Sequence, residues 1–487
     1  MFNSIRLYSR IGAKKYKKLP PVRMKKPKKN EGQPLPIFDY GTSSKDHRIY
    51  VWGLANHGGL GTAGRTRRKD GYNFIAKPSR LFFGEHHQVT DIACGYGFTL
   101  LGVNSKDKNI VYGNGINTDS QLGFDANDFK HKVTGQTGQL PLARPIPLPL
   151  KENSSKVLGL AAGRAHSLIL TSEGVFTLGN NAYGQCGRSI IEEENHFESH
   201  VIFHIPEING QKIAAVSAGQ DHSIFLTEQG QVYACGWGAD GQTGLGHYNN
   251  QWKPELVKGE VEGEKIIKVA GISDCVLALS ESGKVYGWGN SEYGQLPVQT
   301  DNYQVNTAIE LSDFSEFGHV VDVAAGGSFC MALTAVKMFI INNVINQYFY
   351  KFYSLIFNRC HGKHCQIKNY KIFFAETGDV YTWGYGILGF GPRVTKVQMP
   401  TQIPNTLFGR NPYQPDIKVE KIYCGINYMC AVTNQGELYT WGRNAYGYLG
   451  LGHCKDQFFP LKVAMGAKVE KVACGVDHTV ALCRAFI

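Results

Sequence analysis

The sequence predicts an all-β fold, a seven-bladed β-propeller of four-stranded antiparallel blades, with one blade closed by N- and C-terminal strands. Three observations carry that expectation. The first is a recurring phrase: a turn glycine, a short alternating strand ending in an aromatic, then a Gly-punctuated loop. It is clearest at Gly436-Glu437-Leu438-Tyr439-Thr440-Trp441-Gly442 with Tyr446-Gly447-Tyr448-Leu449-Gly450. It recurs at Gly283–Gly289 with Tyr293-Gly294-Gln295-Leu296, and at Gly174–Gly179 with Tyr183-Gly184-Gln185-Cys186-Gly187.

The second observation is a pair of ladders. Strand-end glycines align as Gly53, Gly113, Gly179, Gly236, Gly289, Gly384 and Gly442, at steps of 60, 66, 57, 53, 95 and 58. Small-residue-Gly phrases fall at Gly95, Gly163, Gly219, Gly271, Gly326, Gly425 and Gly475, at steps of 68, 56, 52, 55, 99 and 50. Both count seven members and both stretch at the same place. Short strands at a period near 55 with frequent turn signals fit radially repeated four-stranded sheets. The third observation is at the ends. The last repeat stops at Val480-Ala481-Leu482-Cys483, and the first begins with the missing half, Arg48-Ile49-Tyr50-Val51-Trp52-Gly53. Joining them removes the open edges of the ring.

Taken in order, residues 1–30 hold eleven basic side chains and no acid, so residues 31–487 balance at 40 basic against 40 acidic. The body is therefore not a polyanion-binding domain by bulk charge. Arg6, Arg10 and Lys14 share one helical face and Phe2, Ile5, Tyr8 and Ile11 another, the composition of a mitochondrial targeting segment. A nuclear localisation signal or basic arm is the alternative, because Lys14–Lys29 is a basic cluster broken by Pro20 and Pro21. Residues 31–46 read as a linker, and 47–487 as the propeller.

The stretched step localises a foreign segment at about residues 335–374. Leu333-Thr334 is expected to run into Glu376-Thr377-Gly378-Asp379, as Leu226-Thr227 runs into Glu228-Gln229-Gly230. The intervening stretch is rich in Asn, Ile, Phe, Tyr and Lys, with six basic residues and no acid. A translated intron, a lineage-specific insertion and a membrane span are the open readings. Asn342, Asn343, Asn346 and Lys351 make Met338–Phe357 too polar for a comfortable span.

Enzymatic chemistry finds little purchase. Cys360-His361-Gly362-Lys363-His364-Cys365 crowds four candidate ligands into six residues with no separate partner pair nearby, so no metal site is expected. The twelve cysteines show no secreted-type disulfide framework, and Cys94, Cys424 and Cys474 read as buried strand. The loops at Gly236–Gly241 and Gly289–Gly294 precede strands, not helices, and do not read as phosphate cradles. No catalytic residue, cofactor or small-molecule substrate is expected.

His166, His222 and His478 share a Gly-x-x-His-Ser/Thr phrase, and recurrence at the repeat period argues that they close turns. Asp221 and Asp477 precede two of them and are candidates, with His222, for reaching a partner. The acidic run Ile191–Glu198 lengthens its repeat; Glu192, Glu193 and Glu194 are candidate partner contacts there, and a solvated connection is the alternative.

These repeats resemble those of the regulator of chromosome condensation family, above all in Ala473-Cys474-Gly475-Val476-Asp477-His478-Thr479, Leu226–Tyr233 and Trp441–Gly450. Ala93–Leu101, Asp119–Phe124, Gly236–Asn249 and Trp383–Gly389 are further similar to a mitochondrial branch of the family. The resemblance implies a non-catalytic scaffold of the mitochondrial matrix side or inner membrane, with peripheral membrane association. Its partner would be a mitochondrial GTPase, the dynamin-like fusion GTPase of the inner membrane, on which it would act as guanine-nucleotide exchange factor. The alternative it implies is a factor in large-ribosomal-subunit assembly, meeting assembly proteins or rRNA indirectly. The family's founding member works through loops of one propeller face, and its Gly-x-Asp-His aspartate corresponds to Asp221. The Trp-rich motif of the family's photoreceptors is missing.

Overall fold

Alternating and continuous apolar strands assemble into seven sheets arranged radially. The computed structural model describes residues 47–62, 73–123, 138–297, 303–311, 314, 317–341, 365–367 and 370–485. The basic segment 1–30, the linker 31–46 and the Cys-His run at 360–364 lie outside the described residues.

Blade 1 is built from Val89–Cys94, Phe98–Val103, Val111–Ile116 and Gln139–Pro145. Blade 2 is Val157–Ala162, His166–Thr171, Gly174–Gly179 and Ile202–Ile205. Blade 3 is Ile213–Ala218, His222–Thr227, Val232–Gly236 and Gln251–Leu256, and blade 4 is Ile266–Ala270, Cys275–Ser280, Val285–Asn290 and Gln304–Glu310. Blade 5 is His319–Ala325, Phe329–Ile341, Tyr370–Tyr385 and Lys396–Ile403, with Cys365–Ile367 as a fifth strand. Blade 6 is Val419–Cys424, Tyr428–Thr433, Leu438–Gly442 and Gln457–Lys462.

Blade 7 closes the ring as expected. Ala467–Cys474 and His478–Ala485 come from the C-terminal part of the chain, and His47–Leu54 and Phe74–Arg80 from the N-terminal part. The joint is a continuous antiparallel register from His47 opposite Arg484 to Gly53 opposite His478.

The first strand of each blade touches the first strands of both neighbours, blade 7 returning to blade 1, so these strands line the axis. Each carries a β-bulge at the same place, after Val89, Val157, Ile213, Ile266, Val320, Val419 and Val469. The middle strands are sandwiched between blades. Every residue of Phe98–Val103, His166–Thr171, His222–Thr227 and Cys275–Ser280 is buried. Outermost strands such as Gln251–Leu256 keep polar, exposed positions. Burial on both faces explains why the middle strands read as unbroken apolar runs.

The two halves of the repeated phrase recur together because they meet across the blade seams. Trp52, Trp288 and Trp383 are fully buried. Their indole N–H groups donate to the carbonyls of Tyr448 (2.7 Å), Gln242 (3.0 Å) and Gln295 (2.7 Å) in the Gly-rich loop of the preceding blade. The indole thus buries its ring and still satisfies its one donor.

One rung of the glycine ladder needs correction. The strand-end glycine of blade 1 is Gly115, not Gly113. Gly115 faces Phe98, as Gly179 faces His166 and Gly236 faces His222. Its φ is +112°, and a Cβ there would come within 2.3 Å of the Gly97 carbonyl oxygen. Gly113 lies in ordinary strand, and Asn114 takes the tryptophan position, donating to the carbonyls of Gly58 and Gly59.

In blade 5, Leu333 pairs with Val380 and Thr334 with Asp379, the same register as Leu226 with Val232 in blade 3. An irregularity follows between Thr334 and Val336, and pairing resumes out to Ile341 opposite Lys371. Among the described residues no helix is long and apolar enough to cross a membrane.

Candidate functional site

The turns between first and second strands gather at one end of the axis. The seven small-residue glycines sit in them because no side chain fits: a Cβ on Gly95 would meet the Gly163 carbonyl oxygen at 2.6 Å, and one on Gly163 the Gly219 oxygen at 2.7 Å. Backbone bonds stitch neighbours together, from Tyr96 N–H to Gly163 O, Arg164 N–H to Gln220 O and Gly327 N–H to Ile426 O. The loops between third and fourth strands join the same end, since Trp237 N–H donates to Asp221 O and Asn180 N–H to Ala165 O.

On this rigid floor four carboxylates stand close together over blades 1 to 4. Asp221 is bonded by the Arg164 guanidinium, Nη2 to Oδ2 at 2.8 Å and Nε to Oδ1 at 3.1 Å. Asp274 accepts from Gln220 (3.2 Å) and Gln242 (3.3 Å), Asp240 from Gln304 (2.8 Å), and Asp119 from Asn180 (2.8 Å). The donors to the last three are neutral side-chain amides. Burial, with Asp240 and Asp221 nearby, raises the Asp274 carboxyl to about 6. Burial also raises Asp221, opposed by Arg164. The Tyr96 hydroxyl in the adjoining turn is pushed well above its usual range by burial and by Asp274 and Asp221. Tyr183 and Trp237 pack edge to face at 4.6 Å in the loops beside Asp221.

Of the residues singled out in the sequence, Asp221 lies in this acidic group, and Asp477 occupies the equivalent turn of blade 7. Asp477 is engaged by its neighbour: its Oδ1 lies 2.8 Å from His478 Nδ1. The three histidines are fully buried under the turns. They begin the second strand, the position held by Phe98, Cys275, Phe329 and Tyr428 in the other blades, and reach toward the second residue of the next blade's strand. His478 Nε2 lies 2.8 Å from Thr99 Oγ1 and His166 Nε2 3.1 Å from Ser223 Oγ. Tyr428 meets Thr479 at 2.7 Å, and Cys275 and Cys330 approach to 4.0 Å. For His222 the corresponding residue is Val276, and neither ring nitrogen finds a partner. Burial lowers His166 to about 3 and His222 to about 4. For His478 burial acts downward, but Cys94 and Asp477 outweigh it and raise the imidazole to about 10.

The acidic run divides. Glu192 and Glu193 are exposed, whereas Glu194 turns inward to pair with Arg188. The loop is anchored to blade 1 where Ser120 Oγ donates to Phe197 O at 3.0 Å. Sequence reasoning passed over Asp274, Asp240 and Asp119. Their phrases differ from Gly-x-Asp-His, and only their spacing from the two glycine ladders marked them. Among the described residues no group of three His, Cys, Asp or Glu could hold a metal ion, and ten cysteines, from Cys94 to Cys483, are free.

The regulator of chromosome condensation (RCC1) repeat model matches residues 46–101, 172–226, 229–279, 282–333, 377–432 and 435–482. A second RCC1 repeat model matches 213–242 and 419–447. The chain is 42% identical over 471 residues to the mouse RCC1-like G exchanging factor-like protein, covering 93% of this chain and 91% of the relative. The human protein of the same description is 40% identical, with coverages of 93% and 90%. The crystal structure of human WBSCR16 superposes with a TM-score of 0.75 at 40% identity, covering 91% of this chain and all of that one. Yeast Prp20p shares the fold at 20% identity and a TM-score of 0.66, over 91% of this chain and 93% of that one.

Proposed function

Because the chain belongs to the RCC1 repeat family, we propose that it is a non-catalytic guanine-nucleotide exchange factor whose partner is a GTPase of mitochondria, the dynamin-like fusion GTPase of the inner membrane. The basic, acid-free N-terminal segment supports the compartment, and the exchanging-factor-like relatives at 40–42% identity support the activity. The observation that carries the reading to a surface is the acidic floor at the turn end of the axis, where Asp221, paired with Arg164, stands with Asp274, Asp240 and Asp119.

Exchange needs no covalent chemistry. A factor that binds the nucleotide-free GTPase more tightly than the GDP form lowers GDP affinity by the same ratio, as linkage requires. A fixed carboxylate can replace a phosphate as the partner of a lysine in the emptied site. Asp221 is suited to that role, because Arg164 and the Trp237 N–H hold its turn in place. Asp477, Glu192 and Glu193 would extend the same contact.

The test is affinity purification of the full chain from mitochondria, washed with EDTA or with excess GDP. A GTPase retained under EDTA and released by GDP is the expected result. Recovery of large-subunit rRNA and assembly proteins without such a GTPase would replace this reading with ribosome assembly.

A further inference from the structure

The opposite end of the axis carries a feature that exchange at the turn end does not use. The first strands start there, and the recurrent bulge leaves one extra residue of each strand near the mouth. In four consecutive blades that residue is apolar: Leu158, Ala214, Ile267 and Val321. Although they lie on the innermost strands, Leu158, Ile267 and Val321 are 60%, 49% and 38% exposed. Single exposed apolar residues are ordinary, but a contiguous arc across neighbouring strands is the mark of a contact surface. The next residues inward in blades 2 and 3 are Gly159 and Ala215, so the wall behind the arc is recessed.

Charged pairs stand on the same innermost strands, within the arc's own blades 4 and 5 as well as in blades 7 and 1. Lys471 pairs with Asp91, which also accepts from Leu160 N–H at 3.0 Å; Lys268 pairs with Asp322, which accepts from Ile422 N–H at 3.3 Å. Lys421 of blade 6 bonds a backbone carbonyl, that of Glu470, at 2.6 Å. Among the described residues it has no carboxylate partner. In a seven-membered ring, blade 6 stands across from the recess between blades 2 and 3. Glu470 at the mouth is taken by His47 and Arg484, whereas Glu420, the bulged residue of blade 6, has no ion-pair partner among the described residues.

We propose that this mouth is a second docking site, separate from the Asp221 surface. It takes a polypeptide segment that seats an apolar side chain against Leu158 and Ile267 and places a carboxylate on Lys421. Burial of one such side chain changes a binding constant about tenfold or more, enough to make a short segment's binding depend on it. The acid must reach past Glu420, whose charge opposes it at the rim.

A display library of random heptapeptides, selected on the purified full chain, tests this directly. Enriched sequences are expected to share an apolar residue adjacent to Asp or Glu. In fluorescence polarisation their affinity should fall about tenfold or more with Leu158→Glu or Ile267→Glu. It should rise with Glu420→Gln, and Lys421→Glu should abolish the preference for an acid. Each substitution is at an exposed position, and an unchanged melting temperature would confirm that the ring is intact. No enrichment, or binders indifferent to Leu158→Glu and Ile267→Glu, overturns the proposal. Loss of GTPase binding with Asp221→Ala and retention of peptide binding would separate the two sites.

Discussion

At the scale of single residues, the seams between blades are decided by one pair of positions repeated seven times. Where His, Tyr or Cys meets Ser, Thr or Cys, the seam is a hydrogen bond or a thiol contact. Where His222 faces the place of Val276, two buried nitrogens go unpaired, which costs free energy on the order of 1–3 kcal/mol. Phe98 and Phe329 fill the same position in other blades, so His222→Phe should fit. Because the native pKa values of His166 and His222 lie below the usual 6.5, the unfolded chain binds more protons between pH 6.5 and about 4 or 3. Stability should therefore be full above pH 6.5 and fall as the pH drops. For His222 the loss at pH 4.5 is roughly 2–3 kcal/mol. Urea midpoints at pH 7 and 4.5 should show His222→Phe losing less than the parent; an unchanged gap contradicts the assignment. His478 acts with the opposite sign. Its native pKa is raised to about 10, so its contribution is full below pH 6.5 and lost as the pH climbs through 10. His478→Phe should flatten that alkaline decline in the same measurement.

At the scale of elements, the hairpin of blade 5 bears a mark of interruption. In blade 3 the Thr227 hydroxyl accepts from Gln231 N–H at 3.1 Å, and in blade 6 Thr433 accepts from Glu437 N–H at 3.3 Å. The equivalent Thr334 hydroxyl is buried without a partner. Gly378 nevertheless keeps its positive φ and its close approach to Val419, as Gly230 does to Ile266. The turn is written for Thr334 to run into Glu376. Deleting residues 335–375 should stabilise the ring by about 2 kcal/mol, through the recovered bond and the shorter loop closure, read as a higher thermal midpoint. A lower midpoint would show the segment to be integral. The clasp makes a second expectation: removing residues 1–54 strips the third strand from blade 7 and leaves His478–Ala485 as an open edge. Limited proteolysis should then degrade the ring, and resistance equal to the full chain would contradict closure through this blade.

At the scale of the whole molecule, the ring was legible because its ladders are set by sterics. A glycine is required wherever two turns approach within van der Waals contact, and such positions recur at a fixed period. The misplacement of Gly113 for Gly115 came from the same source, since blade 1 offers two glycines around an asparagine and only the backbone tells which faces Phe98. The histidines were readable as architecture for the same reason. The acidic floor was only partly legible. Asp221 stood out through its phrase, but its assembly with Asp274, Asp240 and Asp119 depends on blades brought together by closure, and Glu194 looked like surface until Arg188 claimed it. The apolar arc at the other mouth was invisible, because the bulge at Leu158 and Ile267 leaves no mark in a single sequence.

Promotion of nucleotide release by the acidic turn end of the axis is tested most directly by the rate at which a fluorescent GDP analogue leaves the purified mitochondrial fusion GTPase. Addition of the full chain should accelerate release in proportion to its concentration. Asp221→Ala should blunt the acceleration, and Leu158→Glu should leave it intact. Release at the spontaneous rate with the parent chain, or acceleration that Asp221→Ala does not diminish, would contradict the claim.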